Sequence, residues 1–119
     1  MNCIFCKIIS GEIDSHTVYE DNFVKVILDV NPDVLGHMLI IPKEHIVTFD
    51  ELSDDLVLHI NQVCKKMNDK LKTKLSIEGL TFIQNNGSVQ NVKHYHLHLK
   101  PNHLREKKIS FEELVKLLK

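Results

Sequence analysis

The sequence His94-Tyr95-His96-Leu97-His98-Leu99 places three histidines at alternate positions late in the chain. Successive side chains of a β-strand point to opposite faces, so a strand here would align three imidazoles on one face. The residues between them, Tyr95, Leu97 and Leu99, would then point into a core. Because imidazoles titrate near neutral pH, such a row is more typical of a reactive site than of a plain sheet.

Two other interpretations of this histidine row stay open at this point. Eight of the 119 residues are histidine, so the row can be a chance cluster on a surface strand. Three histidines also form the protein ligands of some catalytic zinc sites. An expression tag does not fit, because the row lies inside the sequence and is interrupted by apolar residues.

The composition predicts one globular domain over residues 1–119, with 43% hydrophobic residues and a net charge of −1. Without a strongly basic field, nucleic acid is not an expected partner. No apolar run approaches the ~20 residues of a membrane span, so no membrane is expected either. The three cysteines are an odd number and do not form a disulfide framework, which favours a cytoplasmic setting. Arg105 is the only arginine among 15 basic residues, so phosphate would be bound without an arginine fork.

The spacing of apolar residues and of chain breakers predicts the secondary structure. Helices are expected over 3–10 and 53–72, strands over 17–20, 23–28, 36–41, 80–84 and 94–100, and a short helix after Ser110. Ser53 is the expected N-cap of the long helix, and Cys64 lies on its apolar stripe, so we interpret Cys64 as a core residue. Strand pairs with short connections, and helices gathered separately, indicate an α+β fold with an antiparallel sheet.

Cys3-Ile4-Phe5-Cys6 has the two-residue spacing of zinc ligands. Two buried thiols or a redox pair would fit the same spacing. A structural zinc site needs two further ligands, and spacing alone leaves His37, His45, Cys64 and the histidine row as candidates. The remaining histidines have no partner pattern and are predicted to be surface residues; they are His16, His59 and His103.

The histidine row resembles the motif of the histidine triad (HIT) family, with Lys100 at the last apolar position of that motif. Upstream segments resemble the Hint branch, especially its microbial zinc-carrying members. These segments are Cys3 to Ile9, Val18 to Asp21, Leu28 to Pro32, and Gly36 to His45. The resemblance covers residues 3–101, and residues 102–119 form a C-terminal extension with a short helix.

The resemblance implies a HIT-like α+β fold. Its parts are a five-stranded antiparallel sheet, a long central helix, an N-terminal helical segment and a short C-terminal helix, usually paired into a homodimer. It also implies a hydrolase that binds purine nucleotides and cleaves at the α-phosphate, as in nucleoside 5′-phosphoramidates. The reaction would pass through a covalent nucleotidyl-histidine and would not require a catalytic metal.

By position in the family motif, His96 is the nucleophile, His94 and His98 flank it, and His37 is a further histidine of the catalytic group. The implied substrate-binding residues hold the ribose, surround the base or lie near the phosphate and leaving group. They are Asp29 for the ribose, Phe5, Ile8, Ile27 and Val30 for the base, and Asn85, Gln90 and Asn91 for the phosphate region. The implied ligands of a structural zinc ion are Cys3, Cys6, His45 and His94.

General chemistry supports this mechanism, because a neutral imidazole attacks phosphorus well when its other nitrogen donates to a fixed acceptor. Two departures affect the phosphate loop: Val89 stands where the family has glycine, and the loop from Asn85 to His94 is about two residues short. A lysine directly before the histidine row, here Lys93, resembles the sequence of the dinucleoside-polyphosphate branch of the family. The alternatives are therefore a dinucleoside polyphosphate hydrolase, a nucleotide-binding regulatory module with slight turnover, and a zinc protein whose three histidines bind only metal.

Overall fold

The computed structural model describes residues 3–119, which form three α-helices and five strands. In chain order they are α1 (Ile4–Ile9), β1 (Thr17–Glu20), β2 (Val24–Leu28), β3 (Met38–Pro42), α2 (Asp54–Leu75), β4 (Gly79–Ile83), β5 (Leu97–Asn102) and α3 (Phe111–Leu118). A short 3-10 helix, Phe49–Glu51, precedes α2. The α+β architecture expected from the sequence is confirmed.

The strands of the described residues form one antiparallel sheet in the order β1-β2-β3-β5-β4. Because α2 carries the chain across the sheet to the β4 edge, β5 returns between β3 and β4. His98 accordingly lies opposite Leu39 on one side and opposite Ile83 on the other. Hydrogen bonds to the two neighbouring strands, β3 and β4, restrain the backbone of β5. This makes β5 a rigid support for the side chains of a site.

Helix α2 begins after Ser53, whose hydroxyl accepts a hydrogen bond from the N–H of Leu56 at 3.1 Å. The sequence predicts its end near residue 72, but the helix continues to Leu75. Leu75 extends the apolar stripe and is only 8% exposed, and Ser76 then ends the helix in the left-handed conformation. Within residues 3–119 neither α2 nor another helix is long and apolar enough to cross a membrane.

The two faces of the sheet are packed differently. Helices α2 and α3 cover one face and form the main core with Tyr95, Leu97 and Leu99. Helix α1 covers part of the other face, which carries a smaller cluster of buried residues: Cys3, Phe5, Ile8, Ile27, Leu39 and Ile41. Cys64 lies in the main core, where burial raises the pKa of its thiol to about 11. Its interpretation as a core residue is therefore confirmed.

Two strand boundaries differ from the sequence prediction. Strand β3 begins at Met38 rather than at residue 36, because Gly36 has a φ of 85° that a strand does not accommodate. Strand β5 begins at Leu97 rather than at residue 94. The N–H of Tyr95 instead donates to the carbonyl oxygen of Ile46 at 2.7 Å, so this residue is held by a loop.

Three histidines predicted to be surface residues are half-buried and have partners, so that prediction is wrong. The His59 Nε2 lies 2.7 Å from Asp21 Oδ2, which joins α2 to the turn between β1 and β2. The His103 Nε2–H donates to the carbonyl oxygen of Leu35 at 2.8 Å. His16 stacks on a ring of α3, with 4.7 Å between the ring centroids. Each of these contacts joins segments that are distant in the sequence.

Candidate active site

His96 and His98 lie on the sheet face opposite α2, at the beginning of β5. The side chains between and beyond them, Leu97 and Leu99, point into the main core. The alternation predicted from the sequence is therefore present, although His94 and His96 precede the hydrogen-bonded strand. His96 is buried, and its ring lies 5.1 Å from that of His98 and 4.9 Å from that of Phe5, measured between centroids.

A backbone carbonyl fixes the protonation pattern of His96. Its Nδ1 lies 2.8 Å from the carbonyl oxygen of His94. Because a carbonyl oxygen can only accept, Nδ1 carries the proton and donates, and the neutral ring keeps its lone pair on Nε2. This is the state in which an imidazole acts as a nucleophile through Nε2.

A second set of contacts fixes the protons of His37 and His98. The backbone N–H of Asp33 donates to His37 Nδ1 at 3.1 Å, so the proton of neutral His37 lies on Nε2. That Nε2 lies 2.9 Å from His98 Nδ1 and 3.5 Å from Asp29 Oδ2. His98 Nδ1 therefore accepts, and its proton lies on Nε2. The His98 ring can thus donate a hydrogen bond to a substrate oxygen.

Burial favours the neutral forms of the His37 and His98 rings. It lowers the pKa of His37, and together with the nearby His96 and His37 rings it lowers the pKa of His98 to about 4. Asp29, His37 and His98 bring their ligand atoms within 4.8 Å of one another, a grouping that could hold a metal. A metal at His37 Nε2 would have to displace a proton that Nδ1 cannot accept, since Asp33 already donates to Nδ1. This cluster is therefore better suited to hydrogen bonding than to metal binding.

Cys3, Cys6, His45 and His94 form a second group, whose ligand atoms also lie within 4.8 Å of one another. Cys3 caps α1, and its Sγ accepts a hydrogen bond from the N–H of Cys6 at 3.4 Å. His94 is fully buried, and its Nε2–H donates to the carbonyl oxygen of Pro42 at 2.8 Å. The lone pair of His94 Nδ1 is thereby directed towards the two thiols.

The spacing of these four ligand atoms fits tetrahedral zinc. In a tetrahedral site, bonds of about 2.3 Å to sulfur and 2.0–2.1 Å to nitrogen place pairs of ligand atoms that include a nitrogen roughly 3.3–3.6 Å apart. His94 Nδ1 lies 3.4 Å from Cys3 Sγ, 3.6 Å from Cys6 Sγ and 3.1 Å from His45 Nδ1. Cys6 Sγ and His45 Nδ1 are 3.2 Å apart. Both the donor set and the hydrogen bond behind His94 suit a bound zinc ion.

The predicted base-binding residues do not share one environment. Phe5, Ile8 and Ile27 are buried in the cluster under α1, whereas Val30 is 64% exposed on the loop after β2. Asp29 is half-buried at the end of β2, and its Oδ1 accepts the N–H of Asn31 at 2.9 Å. Its other carboxylate oxygen faces His37. The ribose candidate and the histidines are therefore in contact.

Of the three polar residues predicted near the phosphate, Asn85 and Asn91 are exposed and Gln90 is buried. The Gln90 side-chain carbonyl accepts the N–H of Gly87 at 2.9 Å. Its amide nitrogen donates to the carbonyl oxygens of Val47 and Val92, at 2.8 and 3.3 Å. These three bonds hold the loop that precedes His94.

Two residues near the histidines were missed from the sequence. Lys100 follows His96 and His98 at the same alternate spacing, which was a detectable signal, and its Nζ pairs with Asp33 Oδ2 at 2.5 Å. The second residue is Asp33, whose backbone N–H donates to His37. A contact made by the backbone does not require a particular residue type, so the sequence gives no signal for it.

Comparison with known proteins identifies the family. The model of the HIT domain matches residues 10–104, and the chain belongs to the HIT family. A HIT-like protein of Methanocaldococcus jannaschii is 46% identical over 103 residues, which span 85% of this chain and 79% of that protein. The adenosine 5′-monophosphoramidase of Schizosaccharomyces pombe is 39% identical over 106 residues, which span 86% of this chain and 77% of the relative.

The solved structures agree with this assignment. A Zn-bound histidine triad family protein from Mycobacterium smegmatis has a TM-score of 0.89 and 31% sequence identity. The match covers 99% of this chain and 91% of that one. The resemblance to zinc-carrying members that the sequence indicated is thereby confirmed.

Proposed function

We propose that this protein hydrolyses nucleoside 5′-phosphoramidates or similar nucleotide derivatives at the α-phosphate, through a covalent nucleotidyl intermediate on His96. The observation that carries this proposal is the 2.8 Å contact between His96 Nδ1 and the carbonyl oxygen of His94. It leaves Nε2 as the single nucleophilic nitrogen of His96. The name of the fission-yeast relative, an adenosine 5′-monophosphoramidase, supports the substrate class.

The reaction runs in two displacements. His96 Nε2 forms a bond to the α-phosphorus while the bond from phosphorus to the leaving nitrogen breaks, and that nitrogen takes a proton from solvent and departs as an amine. Water then attacks phosphorus and releases a proton to solvent, the bond to Nε2 breaks, and the nucleoside monophosphate leaves neutral His96 behind. Throughout, the Nε2–H of His98 donates to a phosphate oxygen, which stabilises the charge that develops there.

The substrate would lie across the end of the sheet where Asp29 meets His37. We propose that Asp29 accepts hydrogen bonds from the ribose hydroxyls and that the base packs against the exposed Val30 and the edge of the buried cluster that contains Phe5, Ile8 and Ile27. Asn85 and Asn91 would contact the phosphate and the leaving group. Gln90 would act on the phosphate through the loop it holds, since its amide already makes three bonds to the backbone.

We further propose that Cys3, Cys6, His45 and His94 hold a structural zinc ion. When bound, zinc would cross-link α1 to the segment before β5 and would keep the thiols deprotonated. His94 Nδ1 would bind the metal while the carbonyl oxygen of the same residue orients His96. Cys3→Ser should therefore lose zinc, measured by elemental analysis, whereas His96→Ala should retain it.

A homodimer is the proposed assembly. Strand β4 is an edge of the sheet, and its Phe82 and Ile83 side chains are 49% and 36% exposed. An uncovered edge with apolar side chains is a natural surface for a second copy of the chain. The cytoplasmic location expected from the odd number of cysteines stays a prediction.

The test is hydrolysis of adenosine 5′-phosphoramidate by the wild type, by His96→Ala and by His59→Ala. His59→Ala is the control, because it also removes one imidazole, but from α2 on the opposite face of the sheet. Turnover that disappears only in His96→Ala, with an adenylyl adduct on the trapped wild type, supports the proposal. A preference for dinucleoside polyphosphates over the phosphoramidate would indicate a dinucleoside polyphosphate hydrolase. Nucleotide binding without turnover would indicate a regulatory module. Loss of zinc in His96→Ala or His98→Ala would instead indicate that the three histidines bind metal.

A further inference from the structure

Lys100 extends the row of side chains that His96 and His98 begin. On β5 it lies opposite Thr81 of β4, and its Nζ contacts Asp33 Oδ2 at 2.5 Å. The Lys100 and Asp33 side chains are 25% and 66% exposed. This ion pair connects the central strand to the loop between β2 and β3, and the proposed two-step reaction makes no use of it.

Asp33 makes one contact through its side chain and another through its backbone. Its carboxylate is held by Lys100, whereas its backbone N–H donates to His37 Nδ1 at 3.1 Å. A side-chain contact on the strand thus adds to the restraints on a backbone donor next to the histidines. The same ion pair lowers the pKa of the Asp33 carboxyl, so Asp33 stays charged and paired at neutral pH.

The next part of this loop is held by the C-terminal extension. The N–H of Leu35 donates to the carboxylate of Glu106, and the carbonyl oxygen of Leu35 accepts from His103 Nε2–H at 2.8 Å. With Lys100, these contacts restrain the loop from two sides. Gly36, which has a φ of 85°, then turns the chain into His37.

The Asp33 N–H and the Asp29 carboxylate, whose Oδ2 lies 3.5 Å from His37 Nε2, together favour the direction in which the hydrogen bond between His37 and His98 runs. With Asp33 in place, His37 Nε2–H donates to His98 Nδ1 at 2.9 Å, and His98 presents an N–H to the substrate. If Asp33 moves away, neutral His37 can take the opposite tautomer, because its Nδ1 no longer accepts. His98 would then donate from Nδ1 and present a lone pair to the anionic phosphate, which is repulsive.

We propose that Lys100 is a positioning residue whose ion pair with Asp33 holds His37 and His98 in the tautomers that direct the His98 Nε2–H at the substrate phosphate. This role rests on the proposed function for its effect on turnover, but its effect on the histidine protons is independent of any substrate. An exposed ion pair contributes little to global stability. Here it restrains one loop and one backbone donor.

The experiment compares Lys100→Met, Asp33→Asn and the conservative Lys100→Arg, each prepared with the metal it carries when purified. The matched control is Lys43→Met, which removes an ion pair of similar exposure, at 2.8 Å from Glu20 on the other end of the sheet. Nitrogen-15 NMR of the histidine rings reports which nitrogen of His98 is protonated. Steady-state kinetics with adenosine 5′-phosphoramidate report kcat and KM.

Lys100→Met and Asp33→Asn should shift His98 from a protonated Nε2 to a mixture of tautomers and lower kcat by about fivefold. The double variant should be no slower than either single variant, because both break the same contact. Lys100→Arg and Lys43→Met should keep both wild-type properties. His98 signals that stay at wild type in folded Lys100→Met and Asp33→Asn would overturn the proposal, as would an unchanged kcat despite shifted tautomers. If the wild type itself does not turn over, the proposed function fails, and the NMR measurement alone decides the role of Lys100.

Discussion

Backbone groups set the protons of the site histidines. The carbonyl oxygen of His94 holds His96 Nδ1–H, the carbonyl oxygen of Pro42 holds His94 Nε2–H, and the N–H of Asp33 holds His37 Nδ1. A histidine held in this way has one defined tautomer, and its free nitrogen has one defined role. The chemistry of the histidine row therefore depends on chain geometry as well as on residue type.

The charge state of His98 follows from its burial. Since burial and the neighbouring His96 and His37 rings lower its pKa to about 4, His98 should remain neutral at pH 5. An NMR pH titration of the ring should give a midpoint well below the 6.5 of an ordinary histidine. A His98 midpoint near 6.5 would contradict its buried, hydrogen-bonded position.

At the residue scale, the sequence indicated candidate side chains for the site, some of which the structure brings together, but not what holds them. Alternation identified His96 and His98, and the spacing of Cys3 and Cys6 indicated two thiols close in space. The resemblance to the HIT family, not the spacing, singled out His45 and His94 as their partners. The contributions of Pro42 and Asp33 were hidden, because each acts through the backbone: every residue type has a backbone carbonyl, and every type except proline has a backbone N–H.

At the scale of elements, Asp21 joins the turn between β1 and β2 to α2. Its carboxylate accepts the N–H groups of Phe23 and Val24 at 2.7 and 2.9 Å and the hydroxyl of Tyr19 at 2.7 Å. His59 of α2 approaches the same carboxylate. Burial would raise the pKa of Asp21, but these hydrogen bonds outweigh it and lower the pKa from 3.8 to about 2.

This lowered pKa makes a pH-dependent contribution to stability. Because the folded-state pKa lies below the unfolded one, the stabilisation is present above about pH 4 and is lost as the pH falls towards 2. Asp21→Asn should therefore reduce the free energy of unfolding by about 2 kcal/mol near neutral pH. Urea unfolding of both proteins between pH 6 and 2.5 should show this difference shrinking as the pH falls. A difference that is constant over that range would exclude the carboxylate charge as its source.

Most elements were predictable because their signals are local. Ser53 caps α2, and Ser110 caps α3 by accepting the N–H of Glu113 at 3.2 Å, at the positions that the sequence indicates. The beginning of β5 was not predictable. Residues 94–96 have the alternation of a strand, but Tyr95 bonds to Ile46 in a loop, and only the tertiary arrangement determines that partner.

At the scale of the whole molecule, the uncovered β4 edge predicts self-association. Phe82→Lys places a charge on this edge and should convert the proposed dimer to a monomer, as measured by sedimentation equilibrium over a range of concentrations. Leu104→Lys is the matched control, since Leu104 is 79% exposed and lies in the C-terminal extension outside the sheet. A wild type that sediments as a monomer at every concentration would contradict the assembly, as would a dimer that survives Phe82→Lys.

The alternation along β5 also bears on how such a protein evolves. Strand β5 contributes Leu97 and Leu99 to the main core on one face and His98 to the histidine row on the other. A substitution of the half-buried His98 leaves the packing of Leu97 and Leu99 on the opposite face in place, so its chemistry can change while the main core is kept. A lineage with this arrangement is free to explore new substrates, or to keep only binding, at little risk to the scaffold.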